Sequence, residues 1–240
     1  MPSLLPKIED QPMSLVGHLD ELRSRVLWSV AAWVAAGIAA YRLAPTMLDR
    51  ARPLLGTAKL IFTNPTEPFF AYMKVGMIGG LFIASPIIFY HVLMFILPGL
   101  EPRERRWFIG LLPVAVVLFI TGVAFSFEFV LPVTMKFFLS FQMPGLDANI
   151  KLEEFMGFLL NIAVVCGIIF QLPLVLLFAA LIGLVSSKML RAQRRIAYFS
   201  AFVISAVVTP TPDAFTATIV ALPMIVLFEI SLLIIRIIGK

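Results

Sequence analysis

Few side chains in this sequence could do chemistry, and the most telling are acids set among arginines. Glu21 stands four residues before Arg25. At that helical spacing a carboxylate either closes on the guanidinium or stays available to another cation. Glu101 has Arg105 in the same relation, so a local ion pair accounts for it. Glu104 has no such partner, because its i+4 neighbour is Phe108 and its i−3 neighbour is Glu101. It reads either as a solvated loop acid or as a carboxylate free to bind something cationic. Gln171 lies near the middle of a long uncharged run, two residues before Pro173. Hydrocarbon offers its amide no partner. It must bond the Ile169 carbonyl that Pro173 leaves free, or face a wet cavity or a partner's polar residue. Asp213 follows Thr209-Pro-Thr-Pro and suits a helix N-cap. Glu128 and Glu229 fall near the ends of apolar runs, where a carboxylate reaches the interface.

Catalytic alternatives find little support. His18 and His91 are the two histidines and Cys166 the one cysteine, too few for a zinc centre or an internal disulfide. His91 reads as a packed or interface histidine and Cys166 as a core filler. There is no Gly-x-Ser-x-Gly elbow, no His-Glu-x-x-His and no phosphate-binding Gly-x-x-x-x-Gly-Lys-[Ser/Thr] loop. No metal, cofactor or enzymatic activity is expected.

The elements that must position these residues are membrane helices. Of the 240 residues 60% are hydrophobic and 14% charged, against roughly half and a quarter in a soluble domain. The mean hydropathy of +1.00 points the same way. The net charge of +5 therefore marks membrane orientation rather than nucleic acid. The first 13 residues lack an apolar core and do not read as a cleavable signal. Residues 14–25 read as an amphipathic helix, with Leu15, Leu19, Leu22 and Val26 on one face. Six spans follow in one membrane domain over 1–240, at approximately 26–44, 68–97, 107–138, 154–185, 195–209 and 213–235. Residues 42–67 read as a structured outer loop, and Gly76 and Gly80 as a packing notch in the second span. The uncharged run Phe155–Val185 would reach on the order of 46 Å as a helix, so it tilts or bends, with Pro173 supplying a bend. The run Ile196–Val208 reaches only about 20 Å and the last about 22 Å before Glu229. Tall helices beside two short ones predict an all-α, concave bundle that thins the bilayer locally. Twelve Lys and Arg fall on the side of the termini and six on the other, which puts both ends in the cytoplasm. Arg42, Arg50 and Arg52 run against that bias.

Five strings occur in register on this frame. They are His18-Leu-Asp-Glu-Leu-Arg-Ser-Arg25, Phe95-Ile-Leu-Pro-Gly-Leu-Glu-Pro-Arg-Glu-Arg-Arg106, Phe170-Gln-Leu-Pro173, Thr209-Pro-Thr-Pro-Asp213 and Leu227-Phe-Glu-Ile230. Together they resemble the TatC family, the polytopic receptor subunit of the twin-arginine (Sec-independent) protein translocase, over about residues 14–236. The resemblance implies a non-enzymatic protein of the bacterial cytoplasmic membrane. It would bind twin-arginine signal peptides of folded cargo and assemble with TatA, TatB and further TatC copies, export being driven by the proton-motive force. It places the signal-binding acids on Glu21 and Glu104. Leu19, Arg23, Phe95, Pro53, Pro86 and Asp213 fall on positions supporting the site or the fold. Two positions depart from the family pattern. Gln171 stands where many members have glutamate, leaving a hydrogen-bonding role, such as contact with a TatA or TatB helix. The outer hinge reads Thr-Pro-Thr-Pro-Asp in place of Thr-Pro-Pro-Asp. A small proton- or ion-coupled transporter is the competing reading. It would need inverted repeats and deep charges, and the sequence has neither.

Overall fold

A computed structural model of the chain describes residues 15–99, 102–141, 148–209 and 213–239, with side chains throughout except at 15, 99 and 102–109. Charge-free runs become helices because a helix satisfies its own backbone where no water can. Helix α1 (Leu15–Arg42) absorbs the amphipathic segment and the first span into one rod. The outer loop folds as α2 (Ala44–Ala51), a 3-10 turn at Arg52–Leu55 and strand β1 (Lys59–Ile61). Helices α3 (Glu67–Lys74) and α4 (Gly80–Ile96) join through a π turn at Val75–Gly79. Likewise α5 (Pro102–Phe125) passes through a π turn at Ser126–Val130 into α6 (Leu131–Leu139). Strand β2 (Asn149–Lys151) pairs in parallel with β1, tying the loop before α3 to the loop before the next helix.

Helix α7 (Leu152–Ile169) is the centre of the molecule. Twelve of its 18 residues are buried, and α3 and α5 pack along it. A Cβ on Gly122 would lie 2.6 Å from the Cys166 carbonyl oxygen, so α5 reaches α7 only because that position is bare. The expected bend before Pro173 is present as a break at Phe170–Gln171, after which α8 (Leu172–Leu181) resumes. The short α9 (Ser187–Ala192) leads to α10 (Arg194–Val208) and α11 (Ala214–Ile237), which pack on one another, with α11 also on α8.

Among the described residues five stretches are long and apolar enough to cross a bilayer: Val16–Arg42, Glu67–Ile96, Gly110–Leu139, Leu152–Leu181 and Ala214–Ile237. The fifth expected span is α10, whose 15 residues reach about 22 Å against a hydrocarbon core of roughly 30 Å. Its expected shortness is therefore present. The sixth expected span is not short. Helix α11 runs 24 residues straight through Glu229, whose carboxylate meets Arg194 and the Tyr198 hydroxyl of α10 instead of ending the helix. The charge is satisfied between the helices, so the apolar count alone underestimated the length.

The notch is at its expected place. A Cβ on Gly80 would lie 2.6 Å from the Gly37 Cα, so α1 and α4 meet backbone to backbone there. That contact, with the adjoining π turn, is where α1 chiefly joins the body, and its remaining surface is open.

Candidate functional site

The first turns of α1 carry the acid that the sequence singles out. Glu21 Oε1 accepts from Arg25 Nε at 2.8 Å, and from the second guanidinium nitrogen of the same side chain. The i,i+4 pairing is therefore made. It uses one carboxylate oxygen only. Glu21 Oε2 is shielded and accepts no hydrogen bond among the described residues. Its near neighbour is His18 Nδ1 at 3.8 Å, too far for a hydrogen bond. His18 in turn stacks on Phe95 of α4, with centroids 4.3 Å apart and planes 12° off parallel. Phe95 and Glu21, 74 positions apart, are thus brought together through an imidazole.

Below this cluster an apolar groove of about 520 Å³ runs between α1 and α4. Val26, Val30 and Trp33 line it on α1, and Leu81, Ile88 and Val92 on α4. Arg25 and Phe95 stand at its head, and His91 lines the α4 side. An apolar channel whose head residues, Arg25 and Phe95, adjoin the half-coordinated carboxylate and its neighbouring imidazole suits an extended ligand with a cation at one end and an apolar stretch behind it.

The other expected residues are placed as follows. Leu19 (64% exposed) and Arg23 lie on the open surface of α1. Glu104 falls in the first turns of α5, and its side chain lies outside the described residues. Pro53 is the second residue of the 3-10 turn after α2. Pro86 sits inside α4, and Ser85 Oγ donates to the Phe82 carbonyl at 2.8 Å, the acceptor that proline leaves without its N–H. Asp213 caps α11 as expected, accepting from the Thr216 N–H at 2.6 Å. Gln171 does not bond the Ile169 carbonyl. Its amide donates to the Ala115 carbonyl of α5 at 3.1 Å, and its own carbonyl oxygen is buried without a partner. Neither Gln171 nor Asp213 lines the groove.

Sequence reasoning missed two polar residues that stand out in the structure. His18 was read only as part of a motif, although a histidine three residues before Glu21 shares its helical face. Asn161 is an amide about 14 Å along α7 and is one of the few exposed residues of that helix. A polar residue in an apolar run was the available signal.

Comparison with known proteins agrees over most of the chain. Residues 17–223 match the family model described as Sec-independent protein translocase protein (TatC). The Sec-independent protein translocase protein TatC of Carboxydothermus hydrogenoformans is 34% identical over 229 residues, covering 95% of this chain and 94% of that protein. The TatC of Magnetococcus marinus is 38% identical over 228 residues, covering 93% and 84%. A crystal structure described as the twin-arginine translocase receptor TatC superposes with a TM-score of 0.80 at 31% identity, over 93% of this chain and all of that one.

Proposed function

The chain belongs to the TatC family of Sec-independent protein translocase proteins, and we propose that it is the translocase's receptor for twin-arginine signal peptides, with Glu21 as a guanidinium-binding carboxylate. The family is a translocase component, not an enzyme, and the chain is a multi-pass membrane protein. Membership also sets aside the transporter reading.

One observation carries the receptor reading: Glu21 Oε2 has no hydrogen-bond partner among the described residues, while Arg25, which lines the head of the groove, holds Oε1. An incoming arginine takes the free oxygen through charge-assisted hydrogen bonds, and its planar fork gives the contact direction. Lysine brings a point charge without that fork. Glu104 supplies the carboxylate for the second arginine. The signal's apolar stretch lies along the groove between α1 and α4, where leaving water or loosely held lipid favours it. Both termini face the cytoplasm of a bacterial inner membrane, by the asymmetry of Lys and Arg. TatA and TatB helices dock where the fold offers unspent polar groups, at Asn161 on α7 and at Gln171, and further copies of the chain complete the complex.

The test is a titration of the purified chain with a fluorescent Arg-Arg signal peptide. Glu21→Gln and Glu104→Gln should each weaken binding at least tenfold, within the roughly 2–5 kcal/mol expected when a desolvated charge pair loses one partner. Unchanged affinity in both variants would remove the proposal.

A further inference from the structure

A second apolar groove, of about 420 Å³, lies farther along α1, against the junction of α3 and α4. Its floor is made by Gly37 and Gly76, where a Cβ on either would sit 3.2 Å from the other's carbonyl oxygen. Val34 and Ile38 wall one side, and Met73 and Met77 the other. Trp33 separates it from the first groove, held by its indole N–H on the Met77 carbonyl at 2.7 Å. The far end is Arg42, the last residue of α1.

The charge states of the two grooves differ. In the first, the cation Arg25 is neutralised by Glu21. In the second, Arg42 is exposed and has no ion pair or hydrogen bond among the described residues. Arg52, another cation of this region, engages Asp49 at 3.5 Å. Arg42 also ends the uncharged run Val26–Tyr41, which puts its guanidinium at the hydrocarbon boundary, level with lipid phosphates. Tyr41, edge-on to Tyr72 at 6.2 Å, marks the same depth as an interfacial aromatic. Ile38 is 63% exposed and Met77 52%, so the groove opens sideways to lipid.

We propose that this groove binds one acyl chain of an anionic phospholipid, with the phosphate on the Arg42 guanidinium. Any lipid chain can enter an apolar slot in a bilayer. The unpaired cation at its end selects a headgroup that carries net negative charge. This accounts for an outer-side arginine that runs against the usual distribution of basic residues. It holds whether or not Glu21 binds a signal peptide.

The test uses Trp33 as reporter. With Trp28→Phe and Trp107→Phe, Trp33 is the chain's single tryptophan. The full chain is reconstituted in phosphatidylcholine vesicles containing a chain-brominated lipid, either phosphatidylglycerol or phosphatidylcholine. Brominated phosphatidylglycerol should quench with about fivefold higher apparent affinity. Arg42→Gln should abolish that preference, Arg42→Lys should keep most of it, and Met73→Phe should reduce quenching by both lipids. Equal quenching in the parent chain, or a preference that survives Arg42→Gln, overturns the proposal. So would disulfide formation between copies through Ile38→Cys in the same vesicles, which would assign the groove to a protein contact.

Discussion

At the scale of single residues, the binding cluster is a carboxylate shared unequally. Arg25 satisfies one oxygen of Glu21, and the His18–Phe95 stack holds an imidazole beside the other. The stack is the direct contact that ties the first turns of α1 to the end of α4 at this point. His18→Ala removes it while leaving the Glu21–Arg25 pair intact. An aromatic pair of this kind contributes about 0.5–1.5 kcal/mol, so peptide affinity should fall by roughly two- to tenfold. The reading is a peptide titration alongside a melting curve. A fall in affinity with little change in melting identifies a positioning role, and no fall contradicts it. Glu21 and Arg25 were legible as a pair from spacing alone. The one-sidedness of that pair was not, because it depends on which oxygen the guanidinium reaches. Gln171 was legible as an amide in need of a partner. Its choice of the Ala115 carbonyl was not, since that contact spans 56 positions between two packed helices.

At the scale of elements, helix length is the informative variable. The uncharged run at 155–185 had to bend, and it breaks at Phe170–Gln171 where Pro173 removes an N–H. The run ending at Glu229 looked short because a carboxylate normally ends an apolar span. In the structure Arg194 and Tyr198 satisfy that carboxylate, so α11 continues for two more turns. Sequence lengths are reliable where a proline or a loop sets the end, and fail where a partner from another helix rescues the charge. Helix α10 is about 22 Å long, and the proposal that it spans requires the membrane around it to thin or let water in at one end. Inserting four leucines after Phe202 restores a full span. Transport of a twin-arginine cargo in vesicles should then drop although the protein still inserts; export at the original rate would show that the short helix has no part in transport.

At the scale of the whole molecule, α7 is the fixed body and α1 the outlying arm. Helix α7 is buried over most of its surface, whereas α1 packs along α4 and the π turn before it and leaves most of its own surface open. Both proposed ligands lie along that arm, which leaves the core free to stay rigid. The proposed orientation rests on the placement of Lys and Arg and is open to a direct check. Cys166 is buried in the apolar core, so Cys166→Ala, which adds no polar atom there, gives a background without thiols. A membrane-impermeant maleimide should then label Gly239→Cys in inside-out vesicles and Phe62→Cys in right-side-out ones. The reverse pattern would invert the topology. The helical membrane frame was legible because charge is nearly absent from the runs. The parallel β1–β2 pairing was not, since three-residue strands 90 positions apart leave no periodicity to read.

The central claim is that Glu21 meets an arginine of the signal. A double-mutant cycle measures it most directly: wild-type and Glu21→Gln chains, each titrated with Arg-Arg and Lys-Lys forms of one signal peptide in lipid nanodiscs. The account predicts a preference for Arg-Arg in the wild-type chain and a coupling of about 1.5 kcal/mol or more, as for close charge pairs across an interface. Coupling indistinguishable from zero, with the Arg-Arg preference unchanged in Glu21→Gln, would contradict it.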